Sequence, residues 1–199
     1  YQDWREVIPN RQTIGAYFRQ HGYFSCGAGK IFHYHMVDPD CWDEYWPSQQ
    51  KNMPDEAFPD FAKSTLATVD TPTPKTMSMP AFQHMYGMFD WSALDVPDEQ
   101  MGDFKSVDYV LRKLNEPRDQ PLFLACGIYR PHLPWYVPSK YFDLFPLSDV
   151  VLPKRLENDL ADVGPRARDI ALRGGGYHQH VIDAGQWKQA VQGYLASIA

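Results

Sequence analysis

The chain has 199 residues, 19 Lys+Arg against 25 Asp+Glu and a formal net charge of −6. That balance excludes a chain-wide nucleic-acid footprint, which needs clustered positive charge, and a content of 44% hydrophobic and 15% aromatic residues is too apolar for a disordered chain. No stretch approaches the ~18 to 20 consecutive apolar residues of a membrane span, and no charged start leads into an apolar run, so no signal peptide is expected.

The first predicted element is a helix over Thr13 to Gln20, with Ile14, Tyr17 and Phe18 at i, i+3, i+4 and Gly22 as the stop. Tyr23 to Ala28 (YFSCGA) is short, aromatic and small, which predicts a buried strand running into Gly29-Lys30. Residues 38–96 then carry turn signals and scattered aromatics, and eight of the 17 prolines fall between Pro39 and Pro97. Proline breaks helix interiors and cannot donate to a ladder, so this span is predicted to be an irregular surface excursion. A helix follows, with Val107, Val110, Leu111 and Leu114 as its apolar face and Asp103 in the cap region. Leu122 to Ile128 (LFLACGI) is almost wholly apolar, as in a parallel strand covered on both faces. Helix followed by buried strand is half of a βαβ unit, so the predicted class is α/β. Residues 131–153 read as loop and 154–186 as a variable loop region. Trp187, Val191, Tyr194, Leu195 and Ile198 mark one face of a final helix.

Two loops are placed for chemistry, because ligands collect at the carboxyl ends of strands in an open α/β sheet. One is Gly29-Lys30-Ile31-Phe32-His33 after the first strand, and the other is Arg130-Pro131-His132-Leu133-Pro134 after the second. A lysine ammonium suits an oxyanion, and histidine either binds an anion as a cation or moves protons near neutral pH. Trp135, three residues after His132, is the best placed of the aromatics to stack on a substrate ring. Trp42, Tyr45, Trp46 and Tyr136 are expected to serve packing, and Asp38, Asp40, Asp43 and Glu44 to be solvated.

Other candidates carry less. Cys26, Cys41 and Cys126 form no C-x-x-C pair and permit at most one internal disulfide. Cys26 and Cys126 fall inside predicted strands and read as buried, inert thiols. His33-x-His35 and His178-x-His180 have the alternating spacing of some metal sites, but no carboxylate completes either set. Gly27-x-Gly29 lacks the third glycine and downstream acid of a dinucleotide fingerprint.

The segment GYFSCGAGKIFH (22–33) resembles the G-Y-x-[ST]-x-x-x-G-K-[IW]-[FH]-H region of sulfatases in the alkaline phosphatase superfamily. FLACGIYRPHLPWYVPSKYFDLFP (123–146) is similar to the strand and loop that hold another active-site histidine in that family. The resemblance continues through DWSALDVPDEQMGDFKSVDYVLRKL and WKQAVQGYLASIA, and it is strongest toward iduronate-2-sulfatase and choline-sulfatase-like members. It implies a sulfuric ester hydrolase acting on a sulfated sugar or small organic sulfate. The implied fold is part of an alkaline-phosphatase-like α/β sandwich, a largely parallel sheet flanked by helices and incomplete at both ends. Residues 1–199 would then be the central portion of a catalytic domain. By the same resemblance, Lys30 contacts the sulfate, His33 is the base that regenerates the nucleophile, and His132 binds sulfate and protonates the leaving oxygen. Trp135 is the remaining candidate contact to substrate.

Family members use a formylglycine made within C/S-x-P-x-R, and Ca²⁺ held by an early Asp-Asp pair and a later Asp-[His/Asn]-Gly. None of these motifs occurs here. Formylglycine and the calcium ligands are therefore expected outside this chain, no metal ligand is assigned within it, and the isolated chain is expected to be inactive. The resemblance also suggests an exported or lysosomal compartment. Two alternatives stand beside it: a phosphatase or phosphodiesterase of the same superfamily, and a non-catalytic module binding anions or glycans.

Overall fold

A computed structural model describes residues 2–8, 11–33, 36–50, 54, 91–173 and 177–199. The chain divides into two units, Tyr1–Thr73 with Val96–His132, and Pro74–Asp95 with Leu133–Ala199.

Parallel strand pairing organises the first unit. β1 (Phe24–Gly29) lies between β2 (Glu44–Trp46) and β4 (Leu122–Gly127) in a three-stranded sheet among the described residues. β1 and β4 run in register from Phe24 opposite Leu122 to Gly29 opposite Gly127, so both strands end at one edge. Helix α1 (Trp4–Val7) is a single turn capped by Asp3, and α2 (Ile14–Gln20) is capped by Thr13, whose oxygen accepts from the Ala16 N–H. Helix α3 (Gly102–Asn115) packs on β1 and β4.

The helices bury faces that their large residues do not mark. In α2 the buried residues are Gly15 and Ala16, while Ile14 and Tyr17 are exposed. In α3 they are Gly102, Ser106 and Tyr109, while Val107, Leu111 and Leu114 are exposed. Small residues win because they let a helix come close to strands that are themselves built of Ser25, Gly27, Ala28 and Gly29. A Cβ on Gly15, for instance, would run into the Cys41 sulfur. α3 also lacks a side-chain cap bond: its N-cap is Met101, and Asp103 is turned to another task described below.

β4 departs from the expectation of a strand covered on both faces. Leu122 to Ala125 are half-buried and Cys126 is exposed, whereas β1 is buried from Ser25 to Ala28. β4 is flanked by one strand among the described residues, so its side chains meet fewer neighbours. Cys126 is thus not the buried thiol that its strand position predicts, while Cys26 and Cys41 are buried and all three cysteines are free. Desolvation raises the Cys126 pKa, with the Asp103 charge adding to it.

The acidic group after β1 is bonded rather than simply solvated. Thr13 donates to Asp38, Ser25 N–H and Arg19 donate to Asp43, and Tyr109 and Lys113 donate to Glu44. These carboxylates tie α2, β1, β2 and α3 together. Trp42 stacks on Phe123 and Trp46 on Tyr109, the packing roles expected of them.

The second unit pairs β3 (Trp91–Leu94) with β5 (Trp135–Pro138), also parallel. Helices α4 (Ser139–Asp143), α5 (Pro165–Arg173), α6 (Tyr177–Asp183) and α7 (Trp187–Ile198) follow. The stretches 131–153 and 154–186, read from sequence as loop, therefore contain β5 and α4, and α5 and α6. Trp91, Val181 and Ala190 form a buried cluster with Trp135, Phe142 and Trp187 against it. α7 buries Ala190, Gly193, Ala196 and Ser197, and Gly193 sits against the Trp91 side chain. Both units show the mixed α/β class expected, with small parallel sheets flanked by helices. Of the 38–96 excursion, 51–53 and 55–90 lie outside the described residues.

Candidate active site

The two loops singled out by sequence leave from the same edge of the first unit's sheet, because β1 and β4 end in register. Glycine is what lets the two strand ends approach. Gly29 has φ +75°, in the left-handed region, and a Cβ there would collide with the Gly127 carbonyl. A Cβ on Gly127 would collide with the backbone of Lys30. The approach is closed by the Lys30 N–H donating to the Gly127 oxygen at 2.8 Å.

Tyr129 is the hub of the site. Its side chain is 4% exposed, and the Lys30 ammonium lies 4.9 Å from its ring centroid. The His132 ring lies 4.8 Å from it, tilted by 39°, and the Arg130 guanidinium 5.1 Å. A lysine, an arginine and an imidazole, drawn from two strand ends, thus gather around one aromatic ring. A ring face attracts cations, so Tyr129 offsets part of what their crowding costs. Burial lowers the Lys30 pKa. The loop is turned by its own backbone, the His132 N–H donating to the Tyr129 oxygen at 3.0 Å.

Asp103 holds this loop from outside. One carboxylate oxygen accepts from the Tyr129 N–H at 2.7 Å and the other from the Arg130 N–H at 3.0 Å. The residue expected to cap α3 instead secures the segment that carries His132.

His33 lies on the loop after β1, half-buried, and its carbonyl accepts from the Met36 N–H at 3.1 Å. α1 fastens this loop: Trp4 stacks on Phe32, its indole N–H donates to the Met36 oxygen, and Arg5 donates to the Val37 oxygen. Lys30, His33 and His132 therefore all belong to the first unit, and Lys30 and His132 share a ring. Trp135 belongs to the second unit, where its ring meets Tyr194 edge-on at 5.5 Å. It lines an apolar pocket of about 490 Å³ with His178, Val181, Trp187, Tyr194 and Leu195.

The remaining sequence candidates resolve simply. His178 is exposed on α6 with its ring edge against Trp187. The His178-x-His180 spacing falls on a helix rather than on a strand. His35 lies outside the described residues. Among the described residues, no group of three or more His, Cys, Asp or Glu could hold a metal ion. Sequence reasoning passed over Tyr129 and the true task of Asp103. An aspartate in a helix's first turn reads as a cap, and nothing in sequence spacing links it to a loop 26 residues on.

No protein-family model matches the chain. Over its whole length it is 33% identical to a sulfatase of Formosa agariphila, across 203 residues that make up 37% of that protein. It is 28% identical to the iduronate 2-sulfatases of Mus musculus and Homo sapiens over 75% of its own length and 26% of theirs. The chain thus spans about a third, or less, of the length of these relatives.

Proposed function

We propose, from the chain's similarity to sulfatases, that the whole protein is a sulfuric ester hydrolase of iduronate-2-sulfatase-like type. Its substrate is a sulfated sugar or a small organic sulfate. The observation that carries the reading is the convergence of Lys30 and His132 on Tyr129 at the carboxyl ends of two parallel strands.

Each group has a task that its chemistry suits. The Lys30 ammonium offsets the charge of the sulfate oxygens, as a compact cation in a partly desolvated place. Burial favours its neutral form, so an arriving anion restores what burial took away. His132 hydrogen-bonds the sulfate and, as imidazolium, donates a proton to the bridging oxygen as the alcohol departs. His33 acts as the base from the loop after β1. Trp135 enters the proposal as a contact for the organic part of the ester.

Calcium and formylglycine, which sulfatases use, do not fit the residues described. There is no metal-ligating group among them, and the sequence has no C/S-x-P-x-R. In this proposal both belong to other parts of the protein, and these 199 residues contribute sulfate binding and acid–base groups.

The test is hydrolysis of 4-nitrophenyl sulfate and 4-nitrophenyl phosphate by the full-length protein and by Lys30→Ala, His33→Ala and His132→Ala. Turnover of the sulfate, reduced by orders of magnitude in each variant, supports the proposal. Turnover of the phosphate alone favours a phosphatase, and full activity in a variant removes that residue from the proposal.

A further inference from the structure

The two cations and the imidazole around Tyr129 need something to hold them, because the loop that carries two of them follows a strand end built of glycine. Helix α3 supplies it. Its first turn places Asp103 so that both carboxylate oxygens accept backbone N–H groups, from Tyr129 at 2.7 Å and Arg130 at 3.0 Å. Bonds from N–H to a charged oxygen are roughly twice as strong as neutral ones. The helix itself begins without a side-chain cap, so a common use of an aspartate there has been given up. The helix also reaches the strand ends closely, since Gly102 and Ser106 face inward and the Ser106 oxygen lies beside Gly29.

We infer that Asp103 and Tyr129 form a positioning unit for the site: Asp103 fixes the backbone at 129–130, and the Tyr129 ring fixes the Lys30 ammonium and the His132 imidazole relative to each other. The inference rests on the proposed sulfatase reading for its catalytic consequence, while its structural content concerns these four residues alone. Neither Asp103 nor Tyr129 touches substrate in this account. In this inference the aromatic face is what holds the two groups.

The experiment uses the full-length protein, 4-nitrophenyl sulfate as substrate, and the variants Asp103→Asn, Tyr129→Leu and Tyr129→Phe. Asp103→Asn and Tyr129→Leu are expected to lower kcat/KM by about 10- to 100-fold, within the range of couplings between residues in contact. Tyr129→Phe recovers most of what Tyr129→Leu loses, because it restores the ring. In a Lys30→Ala background, Tyr129→Leu costs clearly less than it does in the parent, since one of the two groups the ring positions is gone and only the His132 part of the loss remains. Full multiplication of the two losses overturns the inference, because a merely structural role is independent of Lys30. A second readout does not depend on turnover. With ¹³Cε1-labelled histidine, the His132 resonance, assigned by its loss in His132→Ala, shifts in Asp103→Asn and Tyr129→Leu and returns in Tyr129→Phe. An unmoved resonance overturns the inference. Shifts as expected in a protein that hydrolyses no sulfate ester leave the positioning unit standing and remove the sulfatase reading. Should Asp103→Asn fail to fold, the leucine and phenylalanine variants decide by themselves.

Discussion

The two units use close glycine contacts for different ends. In the first, Gly29 and Gly127 let two strand ends meet, and the space beyond them is filled with Lys30, Arg130 and His132 around a buried tyrosine. In the second, Gly193 lets α7 settle on Trp91, and the neighbouring residues are Val181, Ala190 and Trp187. One arrangement concentrates charge and the other removes apolar surface from water. The lesson is that a tight backbone approach is not itself a mark of a site; what decides is whether the side chains it gathers could bind or move charge.

The largest effects that sharpen this contrast are on turnover. In the full-length protein, Lys30→Ala and His132→Ala are expected to lower hydrolysis of 4-nitrophenyl sulfate by about 10²- to 10⁴-fold, the usual worth of a positioned acid–base or charge-stabilising group. The melting temperature changes little, since neither side chain is a core residue. Gly127→Ala is expected to remove both activity and about 3 kcal/mol or more of stability, because its Cβ meets Lys30 backbone that cannot move aside. Gly193→Ala, with its Cβ against Trp91, costs about 1 to 3 kcal/mol by overpacking and leaves kcat nearly unchanged. Equal loss of turnover in the two glycine variants would break the comparison.

Trp135→Ala acts on binding. If the tryptophan meets the organic part of the ester, KM rises several-fold at constant kcat, in line with the ~0.5 to 1.5 kcal/mol of an aromatic contact. An unchanged KM with a lowered melting temperature would assign Trp135 wholly to its contacts with Tyr194 and the second unit's core.

The smallest effect concerns the carboxylates that hold the first unit together. Desolvation pulls the Asp43 pKa up, but the Ser25 N–H and Arg19 outweigh it, so the folded pKa lies below the ordinary carboxylate value. A depressed pKa contributes stability that is present above the unfolded pKa and lost as pH falls through the folded one. Asp43→Asn is therefore expected to cost about 1 kcal/mol near neutral pH. Urea unfolding of the two proteins should converge as the pH drops through the acid range. A constant difference at all pH values would show that shape, not charge, is what Asp43 supplies.

The two strands that carry the candidate loops were legible in the sequence. Short apolar runs followed by loops with lysine and histidine predicted β1 and β4, because strand composition and loop chemistry are local, whereas the in-register pairing that brings their ends together belongs to the fold. The helix faces were not. Periodicity weighs residues by size, and it chose Val107, Val110, Leu111 and Leu114 in α3 and Ile14, Tyr17 and Phe18 in α2, of which Val110 and Phe18 are half-buried and the others exposed. The structure instead turns Gly102 and Ser106, and Gly15 and Ala16, toward strands rich in small residues. Helix-to-strand distance governs that choice, and distance is a property of the partner. Asp103 was misjudged for the same reason: its acceptors serve Tyr129 and Arg130, which only the fold brings near.

The most direct measurement is sulfate release from 4-nitrophenyl sulfate by the full-length protein, compared with His132→Ala of the same thermal stability. The account predicts turnover by the first and a loss of about 100-fold or more in the second. No sulfate release by the parent, or undiminished release by His132→Ala, would contradict it.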